Sequence, residues 1–391
     1  MEYKIEYEDI NEIDWKNEGK IKEVTEYKEI LNKDWKMLNE YRDKIDIIDI
    51  EEWKKIRWYI NYYDFIVKDP IINRAFYKCW EIIETYKLIN KETQVVLSLA
   101  EAPGGFIQSI NTYIKRNCMR AVLENSIEKV DVDIDGFEVV KKKNKTKKSS
   151  KPKIYTMSLN RNISTNLPTY NSRIIENNVK IYKGEDLTGN IYNLASCDKL
   201  LEYIGESVDC ITADGGFDEG DEYNNKEQLH YKLILYEIYY CLNNQKNGGS
   251  CIIKFFDIFT ESTIQMLYIL SKSYKNVYIY KPYTSRPTNS EKYVICSGYL
   301  GKTSIKTRLR EYISEYSKRS TSNRIIFDII NVPKKFSEEI KEMNKRFVNS
   351  QCDALKSALS ITSDVYIKTL KEIVKKKETK YNSWIKDFRL S

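Results

Sequence analysis

Lys254 stands inside Cys251-Ile252-Ile253-Lys254-Phe255-Phe256, an apolar run with the character of a buried strand. An ammonium there must pair with an acid or shift its pKa, and both conditions mark functional sites. The plain alternative is a strand-end lysine whose head reaches water. A second apolar strand, Val208-Asp209-Cys210-Ile211-Thr212-Ala213, ends in Asp214-Gly215-Gly216-Phe217. A carboxylate in that position can hold a cationic group or orient a nucleophile, or it can cap a turn. Glu291 lies in Arg286-Pro287-Thr288-Asn289-Ser290-Glu291-Lys292-Tyr293, ahead of another strand, and Lys78 in Asn73-Arg74-Ala75-Phe76-Tyr77-Lys78, on a helix before the first strand. Between Lys78 and Asp214 comes Ala102-Pro103-Gly104-Gly105-Phe106, a strand-to-helix turn that lets the backbone approach a ligand closely. A lone P-G-G is most often an ordinary tight turn. The order Lys, P-G-G, Asp, Lys, Glu is the strong joint signal.

The elements around these residues alternate. A helix is predicted over 73–88, a strand over 94–99 and a helix from Phe106; strands follow at 154–158, 179–182 and 207–213. Helices at 190–204, 225–243 and 260–273 interleave with strands at 250–256, 276–280 and 292–299. This spacing predicts an open, mostly parallel α/β sheet with helices on both faces, spanning 72–300. In such sheets ligands sit beyond the carboxyl ends of the strands, where the P-G-G and D-G-G turns fall. Residues 121–153 break the pattern and end in the lysine-rich run 141–151, which reads as a solvated basic insertion. Residues 1–71 and 301–391 read as helical extensions, the first from Ile47, Ile50, Trp53, Ile56, Ile60 and Tyr63 at helical spacing.

Composition excludes several chemistries. The 391 residues are 41% hydrophobic and 31% charged, enough for a sizeable core. No apolar run of about 18 residues predicts a membrane helix, and no secretory signal is visible at Met1, so a cytoplasmic protein is expected. The +7 charge is mild, and abundant Lys, Ile, Asn and Tyr with only 14 Gly suit AT-rich coding, so bulk charge carries little. Eight cysteines contain no C-x-x-C, and His230 is the single histidine, which reads as structural. No metal site and no Ser-His-Asp triad is expected. Neither a Walker loop nor a G-x-G-x-x-G fingerprint occurs, which disfavours nucleotide hydrolysis and nicotinamide chemistry. Base methylation is disfavoured as well: Asp214-Gly215-Gly216-Phe217 stands where an Asp/Asn-Pro-Pro-aromatic motif would, and no cysteine follows a proline.

The constellation resembles the FtsJ-like, or RrmJ-type, ribose 2′-O-methyltransferases. Asn73–Lys78 matches the family's S-R-A-x-x-K helix, Ala100–Phe106 its A-x-P-G-G-[FW] cofactor loop, and Asp214–Phe217 its D-G-G-F motif. Ile253–Phe256 matches [IV]-K-x-F, and Asn289–Tyr293 matches S-S-E-x-Y. The Ala-Asp-Gly-Gly-Phe form is similar to the branch that modifies mRNA caps in eukaryotes and large DNA viruses, and the composition suits a viral source. The resemblance implies a Rossmann-like fold binding S-adenosylmethionine and a catalytic tetrad of Lys78, Asp214, Lys254 and Glu291. It implies cofactor contacts from Ala100, Glu101, Ala102, Pro103, Gly104, Gly105, Phe106 and Asp214, with Asp186 (Glu185 being the weaker candidate) on the adenine amino group. The second strand lacks the acid that many such enzymes set on the cofactor ribose, so backbone near Ser158 is the substitute.

The implied reaction is in-line attack of a ribose 2′-hydroxyl on the sulfonium methyl, converting cap 0 to cap 1. Lys254 would serve as general base or as the group that steers the hydroxyl, two roles the sequence leaves open. For the first role, burial and nearby positive charge are expected to depress its pKa from about 10.4. Asp214 and Glu291 would orient the lysines. Arg74, Arg286 and Lys292 are the expected phosphate contacts, with the 141–151 run as a looser handle. The flanks would bind RNA, dock a protein of the capping machinery, or serve as scaffold. Two alternatives are a non-catalytic RNA-binding or processivity subunit on the same fold, and a ribose methyltransferase for non-cap RNA.

Overall fold

A computed structural model describes residues 1–8, 11–23, 33–64, 70–126, 131–132, 138–139, 152–160, 167–175, 178–217, 225–319 and 325–390. The lysine-rich run 141–151 lies outside the described residues. In chain order come β1 (Glu2–Lys4), β2 (Trp15–Glu23), α1 (Lys33–Asp46), α2 (Ile50–Ile60), α3 (Ala75–Tyr86), β3 (Val95–Leu99) and α4 (Gly105–Ser126). The short β4 (Asp131–Val132) and β5 (Glu138–Val139) pair only with each other. Then follow β6 (Lys153–Met157), β7 (Val179–Ile181), α5 (Leu194–Ile204), β8 (Val208–Ala213), α6 (Lys226–Leu229), α7 (Tyr231–Asn244), β9 (Gln245–Phe255) and α8 (Glu261–Ser273). The chain continues through β10 (Tyr274–Tyr280), β11 (Lys292–Tyr299), α9 (Thr303–Arg319), β12 (Ile325–Ile330), α10 (Lys334–Leu359) and α11 (Ser363–Asp387).

Eight strands form one sheet in the order β1-β10-β11-β9-β8-β3-β6-β7. The block β7-β6-β3-β8-β9 is parallel, while β11 runs antiparallel to both β9 and β10. The chain leaves β3 toward β6 on one side and later returns to β8 on the other. This is the strand-order reversal that opens a crevice at the carboxyl edge of such sheets. Because β11 is antiparallel, its first residues lie beside the last residues of β9, with Tyr293 opposite Lys254. The segment before β11 is thereby delivered to the same mouth as the end of β9.

Period-two burial divides the strands between two cores. Val95, Leu97 and Leu99 join Ile253, Phe255, Val294 and the helices α5, α7 and α8 on one face. Val96, Ile252, Tyr293 and Ile295 join α3, α4 and Trp384 of α11 on the other. A third cluster packs Leu38 and Ile45 of α1 and Ile56 of α2 against Val348, Cys352 and Leu355 of α10. The two extensions therefore meet each other, and they are not purely helical as expected. β1 adds to the edge of the main sheet and β2 pairs with β12, contacts some 300 residues apart in sequence that leave no local signal. The expected helix 225–243 is two, because His230 at φ −93° and ψ 0° interrupts it. Among the described residues, no helix is long and apolar enough to cross a membrane.

Candidate active site

The four residues named from sequence converge at the carboxyl edge of the sheet. Lys254 lies next to the last residue of β9, Asp214 directly follows β8, Glu291 directly precedes β11, and Lys78 projects from the first turn of α3. Lys78 Nζ reaches the Glu291 carboxylate at 2.7 and 2.8 Å. Lys254 Nζ donates to the Asp214 carbonyl at 2.9 Å and lies 3.3 Å from its Oδ1. Each of the four side chains keeps only 12–15% of its surface. Two more groups complete this shell: the Tyr293 hydroxyl donates to Asp214 Oδ1 at 2.9 Å, and the Ser285 hydroxyl to Glu291 Oε1 at 2.9 Å.

Electrostatics bind the two pairs into one unit. Burial alone would raise the Glu291 pKa, but Lys78, Lys254 and Lys281 outweigh it and hold the carboxyl down at about 2. Burial alone would lower the Lys254 pKa, but Asp214, Glu291 and Glu237 outweigh it and hold the ammonium above its ordinary value. The expected depression of Lys254 is therefore reversed in the free protein, since three carboxyl groups face it. Of these, Glu237 escaped sequence reading. It is buried on α7 under the D-G-G turn, where burial and the Asp214 charge, against the pull of Lys254, raise its pKa to about 8. A charged residue inside the wholly buried helix Leu233–Leu242 was the available signal.

A cavity of about 300 Å³ opens beside this unit, within the size range of small-molecule sites. Ala100 and Ala102 of the P-G-G loop, Ser158 and Leu159 beyond β6, 189–192 beyond β7, and Gly216 and Phe217 beyond β8 line it. The loop packs closely on the first turn of α3: a Cβ at Gly105 would fall 2.1 Å from Asn73 Oδ1, which itself accepts from Ala75 N. Under the loop, Glu101 is buried and neither carboxyl oxygen meets a hydrogen-bond donor in good geometry. Burial, with Asp214 adding and the Thr212 and Ser98 hydroxyls opposing, pushes its pKa well up. Glu101 is not itself a lining residue but sits between Ala100 and Ala102, which are, and a buried carboxyl with no well-aligned donor in that position fits a ligand that carries an ammonium group. Asp186 stands at the rim, where its carboxylate accepts from Thr188 N, Thr188 Oγ1 and Asn193 Nδ2 at 2.7–3.1 Å. It shapes the turn that brings 189–192 to the cavity, and is not itself among the lining residues.

The three expected phosphate contacts separate. Lys292 is buried and donates to the Phe256 carbonyl at 2.5 Å, because the first residue of β11 faces inward under α10; it cannot reach a surface phosphate. Arg74 donates to the Thr284 carbonyl at 2.7 Å and pairs with Asp64, so it braces the segment leading to Glu291. Arg286 lines the cleft between α1, α2 and α10.

His230 is structural, as its setting in the sequence suggested. Its ring stacks on Phe217 at 4.2 Å and packs on Phe256 at 4.3 Å, joining the D-G-G-F turn to the end of β9. Burial pulls its pKa down to about 4, with the Lys226 carbonyl opposing and the Lys254 and Lys226 ammoniums adding. The imidazole NMR signal of this single histidine should titrate near 4 and not near 6.5. The unfolded chain takes up that proton near 6.5 and the folded chain only near 4, so stability should fall as pH drops through this window. A midpoint near the ordinary value would mean that the stack does not form.

The sequence model of the FtsJ-like methyltransferase family matches residues 71–299. The chain is 25% identical over 340 residues to cap-specific mRNA (nucleoside-2′-O-)-methyltransferase 2 of Drosophila melanogaster, covering 82% of this chain and 45% of that protein. The Mus musculus protein of the same name is 25% identical over 336 residues, covering 81% and 40%. Cap-specific mRNA (nucleoside-2′-O-)-methyltransferase of Autographa californica nuclear polyhedrosis virus is 31% identical over 178 residues, covering 42% of this chain and 65% of that protein. The chain thus spans less than half the length of the first two relatives.

Proposed function

Because the chain belongs to the FtsJ-like methyltransferase family, we propose that it transfers the methyl group of S-adenosylmethionine to a ribose 2′-hydroxyl of capped mRNA, at the first transcribed nucleotide. The observation that carries this reading is the pair of ammonium–carboxylate contacts, Lys254–Asp214 and Lys78–Glu291, held together beside a cavity at the strand-order reversal. The names of the relatives support mRNA caps as the acceptor class.

The bound cofactor would supply an electrophilic methyl group on a sulfonium. Glu101 suits its amino group, and the backbone of 189–192 with Ser158 suits the adenosine end. Lys254 has three N–H donors as an ammonium, of which two are directed at Asp214. The third is left to hold the ribose hydroxyl oxygen in line with the methyl group. Once it gives up a proton, the same nitrogen can accept the one the hydroxyl loses as the new C–O bond forms. Lys78 and Glu291 fix the opposite wall, so much of the rate gain would come from positioning.

The test is methyl transfer from labelled cofactor to three matched short RNAs, uncapped, cap 0 and cap 1. Label on cap 0 RNA alone is expected. Equal label on uncapped RNA would move the acceptor to an internal ribose. RNA that binds without acquiring label would favour the non-catalytic subunit.

A further inference from the structure

The extensions, which the family match leaves out, build a basic cleft against the catalytic edge. A cavity of about 360 Å³ is walled by Arg42 and Asp46 of α1, Trp53 and Arg57 of α2, Lys226 of α6, Arg286, and Gln351 of α10. Four cationic side chains and one carboxylate line it. Arg42 is held by Asp257 at 2.8 and 3.1 Å, which fixes α1 to the chain just past Lys254. Gln351 donates to the Thr288 carbonyl at 2.9 Å, which fixes α10 to the segment carrying Arg286. Asn289 and Ser290 form part of the wall, and the next residue is Glu291. The cleft therefore borders the segment that delivers Glu291 to the proposed active site.

Two observations favour an anionic ligand at this arrangement. The Nε of Arg286 is buried and has no hydrogen-bond partner. Arg57 and Arg286 also crowd Arg74: burial first, then these two guanidiniums, lower its pKa to about 10 against the opposing pull of Glu291. Like charges gathered from three separate segments repel one another, and a ligand with regularly spaced oxyanions would offset that repulsion. Trp53 adds an aromatic face of the kind on which bases stack.

We propose that this cleft binds consecutive phosphates of the RNA 5′ end, through Arg57, Lys226 and Arg286, and so feeds the acceptor ribose to the tetrad; the assignment rests on the methyltransferase reading above. Two sources share this chemistry, the triphosphate bridge of the cap and the phosphodiesters that follow it. The measurement is fluorescence anisotropy of a 3′-labelled capped RNA with the full chain, across a series of salt concentrations. The comparison is with a variant carrying Arg57→Gln, Lys226→Gln and Arg286→Gln. Each lost phosphate contact on a single strand flattens the log–log salt slope by about 0.7, so the triple variant should lose about 2 of the slope and bind at least about tenfold more weakly.

Affinity for S-adenosylhomocysteine should be unchanged and serves as the control for folding. If the triple variant loses that affinity, Lys226→Gln and Arg286→Gln are read singly, each expected to cost about 0.7 of slope. An unchanged slope in variants that bind cofactor normally overturns the proposal. Competition by a cap dinucleotide places the triphosphate bridge in the cleft, and competition by a 5′-hydroxyl RNA alone places the downstream strand there. Competition by neither overturns the assignment. Wild-type RNA binding that depends on these residues, without methyl transfer, would keep the cleft and remove the methyltransferase reading. Methyl transfer with a slope indifferent to them would do the reverse.

Discussion

Lys254→Ala should lower methyl transfer to cap 0 RNA by about 10³-fold, the middle of the range for a positioned proton-transfer group. Affinity for S-adenosylhomocysteine should hardly move, since Lys254 is not among the residues lining the cofactor cavity. The pH dependence separates the two roles open to this side chain. Asp214, Glu291 and Glu237 hold the Lys254 pKa above its ordinary value despite burial, so the neutral amine is scarce near pH 7. If the amine accepts the hydroxyl proton, the single-turnover rate must climb with pH. Asp214→Asn removes one of the charges that stabilise the ammonium, so it should move that climb to lower pH while reducing the maximum. A rate independent of pH in the wild type would rule out the base role and leave Lys254 as a steering ammonium.

The convergence of Lys78, Asp214, Lys254 and Glu291 was legible because each adjoins an apolar element whose end the sequence marks. Ile252 and Ile253 announce the strand that carries Lys254, and Gly215 and Gly216 announce the turn after Asp214. The sheet was legible for the same reason, since its strands are short apolar runs between helical patterns. What escaped is whatever depends on distant partners. Lys292 reads as a surface cation beside Glu291, and only α10 folding over it shows that it is buried. The upward shift of Lys254 comes first from Asp214 and Glu291 at distances that sequence does not give, and Glu237, 17 residues upstream on another element, adds to it. β12, Ile325–Ile330, is apolar but for Asp328 in a region that otherwise reads as charged helix, and its partner β2 belongs to the opposite end of the chain. The basic cleft is of this kind too, because its cations come from four segments that sequence spacing does not bring together.

Gly189→Ala should open the cavity proposed for the cofactor without touching Lys78, Asp214, Lys254 or Glu291. Gly189 has φ +70°, and a Cβ there would fall 1.9 Å from the Ser158 carbonyl oxygen, a backbone atom that no side-chain rotation can move away. The turn it closes is fastened on both sides. Gly189 N donates to the Lys183 carbonyl at 2.7 Å, and Asn160 donates through its backbone and its side chain to the Thr188 and Leu187 carbonyls at 3.0 and 2.7 Å. Ser158, Leu159, Gly189 and Asn190 all line the cavity, so relief of the clash must separate two of its walls. A left-handed non-glycine residue costs about 1–3 kcal/mol before any clash is counted. The strain itself is carried with or without ligand, so the affinity loss comes from the separated walls; contacts worth about 1.4–2.8 kcal/mol lost there would lower S-adenosylhomocysteine affinity by about 10–100-fold. Gly205→Ala is the control. Gly205 ends α5 at φ +80°, yet a Cβ there would meet nothing within 4 Å, so the same strain falls far from the ligand. That variant should lose some stability to urea and keep its cofactor affinity. Equal cofactor affinity in the two variants would mean that the contact between Gly189 and Ser158 does not set the width of the cavity.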